Sequence, residues 1–377
     1  MLADRRIDEI EPAENVRILR LFWFGLLLRL ALALAFQISG VDQTLNLTKD
    51  ANLYDSVGKK IAEHYRSGGE TKWPGRVSGF LDHFYEHLVG ATCYVTDDSM
   101  LAIRLINVLC GSLVILVTWR MARDVADADI AYRCGLWACF FPTLFYYSCL
   151  PVRDAQSTLA MALVFLGMTT VTSSGKILHM MALPTGLLLM AGYRTYVAAA
   201  LVILIPASWL LTLLITRSRT NYQLACRNIL VALLVVAVVG PVVIAKVYST
   251  RKASKIADIN SWNKVRQQLN DGNGALYEDG AVPKIGESSI ETVRGAAIGL
   301  YFFFLSVNPT AMNSVRQWMA VPEALIVLCM MPMLFRGFYQ RGREVSLLHL
   351  QYFGEELIVP SGALPLSFQA VCGGMVL

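Results

Sequence analysis

The sequence predicts an all-α protein: a polytopic transmembrane helix bundle of about eight spans plus a re-entrant segment, with an interfacial amphipathic helix in its first outside loop. Three observations predict it. Of the 377 residues, 55% are hydrophobic and only 16% are charged, against roughly 25% charged in an ordinary soluble domain. The charges fall in blocks, so that residues 21–38 hold a single ionisable side chain, Arg29, while residues 251–294 hold many. Once the apolar runs are laid out as crossings, every short basic cluster falls on one face of the bilayer.

Candidate spans are residues 21–38, 101–119, 129–149, 155–172, 178–192, 196–216, 228–248 and 320–335. Most are near the roughly 20 residues that a helix needs to cross hydrocarbon. The first is long for a signal-peptide core and has no small-residue cleavage site after it, so it reads as a span. Arg5, Arg6, Arg17 and Arg20 before it form a positive flank that puts the N-terminus inside. The inside connections then carry Arg120 and Arg123, then Lys176, then Arg217, Arg219 and Arg227, and last Arg336, Arg341 and Arg343. The apolar stretch 299–306 is too short to cross and ends in Asn308-Pro309-Thr310. Were it to cross, the last basic cluster would move outside, so it reads as re-entrant.

This layout divides the chain into four segments. Residues 1–248 form a transmembrane core that includes the first outside loop, 39–100; residues 249–294 form a second outside loop. Residues 295–343 hold the re-entrant segment and the last span, and 344–377 form a weakly patterned tail. In the first loop Leu53, Val57, Ile61 and Tyr65 recur every fourth residue among Asp55, Lys59, Lys60 and Glu63, the pattern of an amphipathic helix lying at the interface. Asp50 stands at its start, where Asp also serves as an N-cap. The second loop mixes Trp262, Asp271, Tyr277, Glu278 and Asp279 with Gly, Ser and Lys, a composition compatible with an acceptor-binding lid or with a merely mobile loop.

The net charge of +5 is spread over short segments and not gathered on one basic face, which argues against a nucleic-acid partner. The eight cysteines show no CxxC spacing and most lie in apolar runs, so they read as small buried hydrophobes. Chemistry is sought instead among the charges at the outer boundary: Asp50, Arg104, the Arg153-Asp154 pair and Arg194. An ionisable group at such depth costs a few kcal/mol (about 3) unless paired or hydrated, and often marks function. Arg29, near the middle of the first span, is expected to pair with a buried acid or reach water.

Several of these residues recur in an ordered set. The chain runs from an N-terminal span to Asp50-Ala51-Asn52-Leu53-Tyr54, then to residues 102–111 (AIRLINVLCG) opening the second span, then Phe141-Pro142 and Leu150-Pro151-Val152-Arg153-Asp154. In this it resembles the polytopic GT-C glycosyltransferases, in particular bacterial relatives of the dolichyl-phosphate-mannose protein mannosyltransferases, over roughly residues 15–215 and more loosely 301–336. The resemblance implies transfer of a sugar from a polyprenyl-phosphate donor to a glycan or protein acceptor, with inversion, on the outer face of the membrane. It implies a multi-pass protein of a bacterial inner membrane, with a cytoplasmic N-terminus and periplasmic long loops, serving exopolysaccharide or glycoconjugate assembly among membrane lipids.

By position Asp50 matches the family's catalytic base, and Arg153 and Arg194, with Arg104 as a third, match cations for the leaving lipid phosphate. Asp55, Asp82, His83 and Asp154 are candidates to line the pocket. Many members carry two adjacent first-loop acids, whereas here Lys49 precedes Asp50. A hard divalent ion wants several oxygen ligands, so no metal ligand is assigned, and a divalent metal stays open as a cofactor. His83-Phe84-Tyr85-Glu86-His87 matches a zinc-peptidase pattern but brings no third ligand with it. The competing expectation is a non-catalytic membrane protein, a transport or structural subunit that keeps the fold without the chemistry. A transporter would show repeated halves, and no repeat is evident.

Overall fold

The computed structural model describes residues 12–41, 49–68, 84–96, 99–173 and 181–215, together with single positions within 230–241 and at 321 and 325. Among these residues every regular element is a helix and there is no strand. The expected spans 228–248 and 320–335, the second outside loop, the re-entrant segment and the tail lie outside the described residues, apart from those single positions.

Helix α1 spans Pro12–Ser39. It ends because Gly40 takes φ 63 and its N–H reaches back to the Phe36 carbonyl at 3.0 Å, a left-handed closure that glycine accepts without strain. Helices α2 (Lys49–Arg66) and α3 (Phe84–Thr96) occupy the first loop, and α4 (Ser99–Val125) follows. Next come α5 (Ala128–Phe140), the short α6 (Pro142–Tyr147), α7 (Asp154–Ser173), α8 (Ala182–Tyr193) and α9 (Thr195–Ile215). Helix α4 is the hub, packing against α1, α2, α3, α5, α6 and α7.

Two of these helices, α1 and the Met100–Asp124 part of α4, are long and apolar enough to cross a membrane. Several large apolar side chains lie on the surface, while a few polar ones are buried among the apolar core. Trp23, Leu27, Trp137, Ile203 and Leu204 are all more than half exposed, whereas Arg29, Arg104, Asn107, Ser112 and Gln156 are at most 2% exposed. Exposed apolar side chains of this kind are compatible with a hydrocarbon surrounding.

One sequence expectation changes and another is refined. The stretch 129–149, expected as one span, is interrupted at Phe141, where φ −59 and ψ 119 leave the helical region before Pro142 restarts the chain as α6. The physical reason is the ring: proline disfavours helical geometry in the residue before it and has no N–H to give the carbonyl four residues back. Helix α2 forms where expected; of the Leu53, Val57, Ile61, Tyr65 set Ile61 is buried and Val57 half-buried, while Leu53 and Tyr65 are 60% and 40% exposed. Ala51, Gly58 and Ala62 are buried beside Ile61. The neighbour decides this, because Ile61 of α2 packs on Gly90 of α3 while Val89 packs on Gly58. Small residues let the two backbones approach, and that contact outweighs the large side chains.

The same device joins α7 to α8. A Cβ added at Gly186 would stand 2.7 Å from the Ala160 carbonyl oxygen. Around this crossing lies the larger apolar core, which draws Val164, Leu183, Leu187 and Met190 together with Tyr85, Ile103 and Ile205. A second core joins α1, α4 and α5 through Ile18, Leu21, Ile115, Trp119 and Ala131.

Candidate functional site

The chain between α6 and α7, residues 148–153, is irregular yet largely buried. Buried backbone away from water must have its polar groups satisfied. Here the partners are side chains of α1 and α4. Arg29 Nε donates to Ser148 Oγ at 3.0 Å, and Arg104 Nη1 donates to the Cys149 carbonyl at 3.2 Å. Asn107 Nδ2 donates to the carbonyls of Leu150 at 2.6 Å and Val152 at 2.7 Å. Asn107 Oδ1 in turn accepts from Gln156 Nε2 of α7 at 2.8 Å. Arg104, Asn107 and Gly111 are spaced three and four apart, so they share one face of α4.

The clamped segment leads directly into α7 and holds its first turn in place. Arg153 Nη1 donates to the Tyr193 carbonyl at 3.4 Å, and the next residue, Asp154, accepts from Arg194 Nη2 in an ion pair. Two consecutive residues of one turn thus meet two consecutive residues of another. The pairing suits both termini: Asp154 opens α7 and Arg194 closes α8, where a carboxylate and a guanidinium each complement the helix dipole. Both side chains are about a third exposed, at 34% and 31%, so the pair remains reachable.

Asp50 lies inside the first turn of α2, not at the cap position before it. Its neighbour Ala51 is buried in one cluster with Tyr146, Leu150 and Val152. The backbone of Asp50 therefore stands beside the turn that presents Arg153. Tyr54, one helical turn on, packs edge-on to Tyr85 with centroids 4.7 Å apart, and Phe84 meets Tyr193 at 5.2 Å. These aromatic contacts tie the first-loop helices to the end of α8.

Tyr85 is 1% exposed and its hydroxyl has no well-formed hydrogen bond among the described residues. Burial pushes its phenol well above the usual tyrosine range, with Tyr54, Asp154 and Tyr193 adding to the rise and Asn107 opposing it. Both hydrogens of the Asn107 amide are already given to Leu150 and Val152. The buried Gln156 Oε1 also lacks a partner, so two orphaned oxygens flank Asn107.

The expected site residues thus divide. Arg153, Asp154 and Arg194 come together, with the Asp50 backbone close by. Arg104, expected to bind donor phosphate, is buried and donates to the loop carbonyl of Cys149, which makes it a positioning residue. Asp55 pairs with Lys59 of its own helix at 2.7 Å. Asp82 and His83 lie outside the described residues. His87, from the zinc-like pattern, is buried with its Nδ1 3.1 Å from the Tyr65 hydroxyl. Among the described residues no group of three His, Cys, Asp or Glu side chains gathers.

Sequence reasoning passed over Asn107 and Gln156, although the three-residue step from Arg104 to Asn107 in an otherwise apolar helix was the signal. Arg29, expected to find an acid or water, finds neutral oxygens. Besides Ser148 it donates to the carbonyls of Gly25, Ala138 and Cys139 and lies over the Phe145 ring. The cysteine reading holds for Cys93, Cys134, Cys139 and Cys149, which are buried thiols.

No family model, curated protein or solved structure matches this chain.

Proposed function

We propose that this chain is a multi-pass membrane glycosyltransferase that moves a sugar from a polyprenyl-phosphate donor to an acceptor hydroxyl, with inversion, on the face of the bilayer opposite its N-terminus. The observation that carries the reading is the meeting of Arg153 and Arg194, held by their partners at Tyr193 and Asp154, beside the first turn of the helix that bears Asp50. It is a site with cations for a leaving phosphate and a carboxylate on the adjoining helix.

In this mechanism Asp50 takes the proton of the acceptor hydroxyl as its oxygen forms a bond to the anomeric carbon. The bond from that carbon to the phosphate oxygen breaks on the opposite side, and its electron pair leaves with the lipid phosphate. Arg153 and Arg194 neutralise the charge that develops there. A guanidinium has five N–H donors, so one carboxylate partner for Arg194 is compatible with a phosphate contact. The partners on this reading are the lipid-linked sugar and a glycan or protein acceptor, within a bacterial inner membrane. The exposed Trp, Leu and Ile side chains and the two long apolar helices support the bilayer setting, and the full count of about eight spans rests on the apolar runs in the sequence.

One observation favours the second reading, a non-catalytic membrane protein. Asp154 already offsets the charge of Arg194, an arrangement that also serves purely to lock α7 to α8. Transfer of radiolabelled sugar from a set of polyprenyl-phosphate donors, in membranes holding equal amounts of wild type or Asp50→Asn, separates the two. Transfer by the wild type that is lost in the variant supports the enzyme with Asp50 as base. No transfer by the wild type with any donor sinks the enzymatic reading.

A further inference from the structure

At the other end of the bundle the N-terminal part of α1 and the outer face of α5 enclose an open groove of about 450 Å³, lined by Arg17, Arg20, Leu21, Phe24, Leu136 and Phe140, with Tyr132 at its edge. Its lining is ordered along the helix axis. Arg17 and Arg20 stand at one end; Leu21, Phe24, Leu136 and Phe140 continue from them, with Phe24 and Phe140 ring centroids 6.0 Å apart. Arg17 is steered by its neighbours: its guanidinium lies 3.8 Å from the centroid of the Tyr132 ring and donates to Asp129 at 3.2 Å. Arg20 is exposed and forms no ion pair among the described residues.

We infer that this groove binds one anionic phospholipid, its phosphate on Arg20 and Arg17 and an acyl chain along Leu21, Phe24, Leu136 and Phe140. The assignment rests on charge complementarity and on the order of the surfaces. A cation pair that gives way within one helical turn to an exposed apolar and aromatic trough matches a headgroup followed by a chain, and matches neither a free phosphate nor a soluble peptide. Trp23 and Trp137, each 56% exposed on the same two helices, are the amphipathic side chains found at a headgroup boundary. The Asp129 carboxylate does not cancel the site, since it takes one nitrogen of Arg17 and leaves the charge of Arg20 uncompensated. This end also holds the Glu14–Arg123 and Arg120–Asp124 pairs, which belong to α1 and α4 and neutralise each other outside the groove. The inference goes beyond sugar transfer but rests on the membrane reading.

The test uses the full chain, extracted from membranes that have been washed at alkaline carbonate. Appearance of the protein in that washed fraction checks the membrane reading by itself. Phosphatidylglycerol and phosphatidylcholine with identical acyl chains are then titrated into the delipidated protein in detergent, and the bound lipid is counted by native mass spectrometry. Wild type is expected to prefer phosphatidylglycerol, and Arg20→Gln to lose about fivefold of that preference, the worth of one cation near an anionic headgroup. Leu136→Trp, which fills the exposed trough, is expected to weaken binding of both lipids and keep their ratio. Equal binding of the two lipids by the wild type overturns the proposal, and so does an Arg20→Gln protein that keeps the full preference.

Discussion

Arg29 supplies the Ala138 carbonyl with the hydrogen bond that Pro142 cannot. A continuous helix would direct the N–H of residue 142 to the oxygen of residue 138, and proline has none. Arg29 Nη2, reaching from α1, donates to Ala138 at 3.2 Å and to Cys139 at 2.9 Å. The guanidinium also places positive charge at the C-terminus of α5, where the helix dipole favours it. A buried arginine and a broken helix thus explain each other.

Arg29→Ala leaves several buried oxygens without donors, and each such loss costs about 1–3 kcal/mol. The variant is expected to lose about 3 kcal/mol or more, seen as a large drop in thermal unfolding temperature in detergent. Pro142→Ala restores an N–H at the break, so the double variant is expected to recover part of the loss. Simple additivity of the two substitutions would show that the two residues are not coupled.

Asn107→Ala frees the carbonyls of Leu150 and Val152 and the amide of Gln156 at once. The expected destabilisation is about 2–4 kcal/mol, from the cost of unpaired buried groups. Hydrogen exchange gives the more specific readout: the amides of Val152 and Ser157, which bond to Leu150 and Arg153, exchange faster, while those in the middle of α1 do not.

Arg153→Ala is expected to raise the KM for a polyprenyl-phosphate donor by about 10- to 100-fold, the range of one charge-assisted hydrogen bond. Arg153→Lys keeps the charge without the planar fork and falls between. Asp154→Asn breaks the pair with Arg194, and because both groups are about a third exposed the stability change is under about 1 kcal/mol. An unchanged KM in the Arg153 variants would place the phosphate elsewhere.

Tyr85→Phe removes a buried hydroxyl that has no well-formed hydrogen bond among the described residues, so it is expected to be neutral or stabilising by about 1 kcal/mol near neutral pH. Its pH dependence has a fixed sign. The folded-state pKa of Tyr85 lies well above the ordinary tyrosine value of 10.0, so above that pH the unfolded chain releases a proton that the folded one retains. Stability from this group is complete below pH 10.0 and is lost as pH rises beyond it. Stability curves for wild type and Tyr85→Phe that fall in parallel above that pH would contradict this.

The Asn308-Pro309 break, the basic flanks and the apolar runs are all one-dimensional signals, and the runs at 21–38, 101–119, 155–172 and 196–216 fall within or nearly on helices at 12–39, 99–125, 154–173 and 195–215. They are legible because hydrocarbon needs only length and apolarity, and because glycine and proline act on their own backbone. Arg153, Asp154 and Arg194 could be singled out in the same way, as charges at the edges of apolar runs. Which face of α2 is buried was not legible, because Gly58 meets Gly90 only after two helices are brought side by side.

The helical class, the position of most described helices and the outer-boundary charges are local properties of the chain, since each depends on residues within a few turns. The contacts of those charges are not local. Arg104 became a clamp on Cys149, Arg29 a cap for α5, and Asp154 the partner of Arg194, across separations of 45, 109 and 40 residues. A guanidinium binds whichever oxygen lies within about 3 Å, and that oxygen is chosen by how the helices pack, which no local pattern encodes.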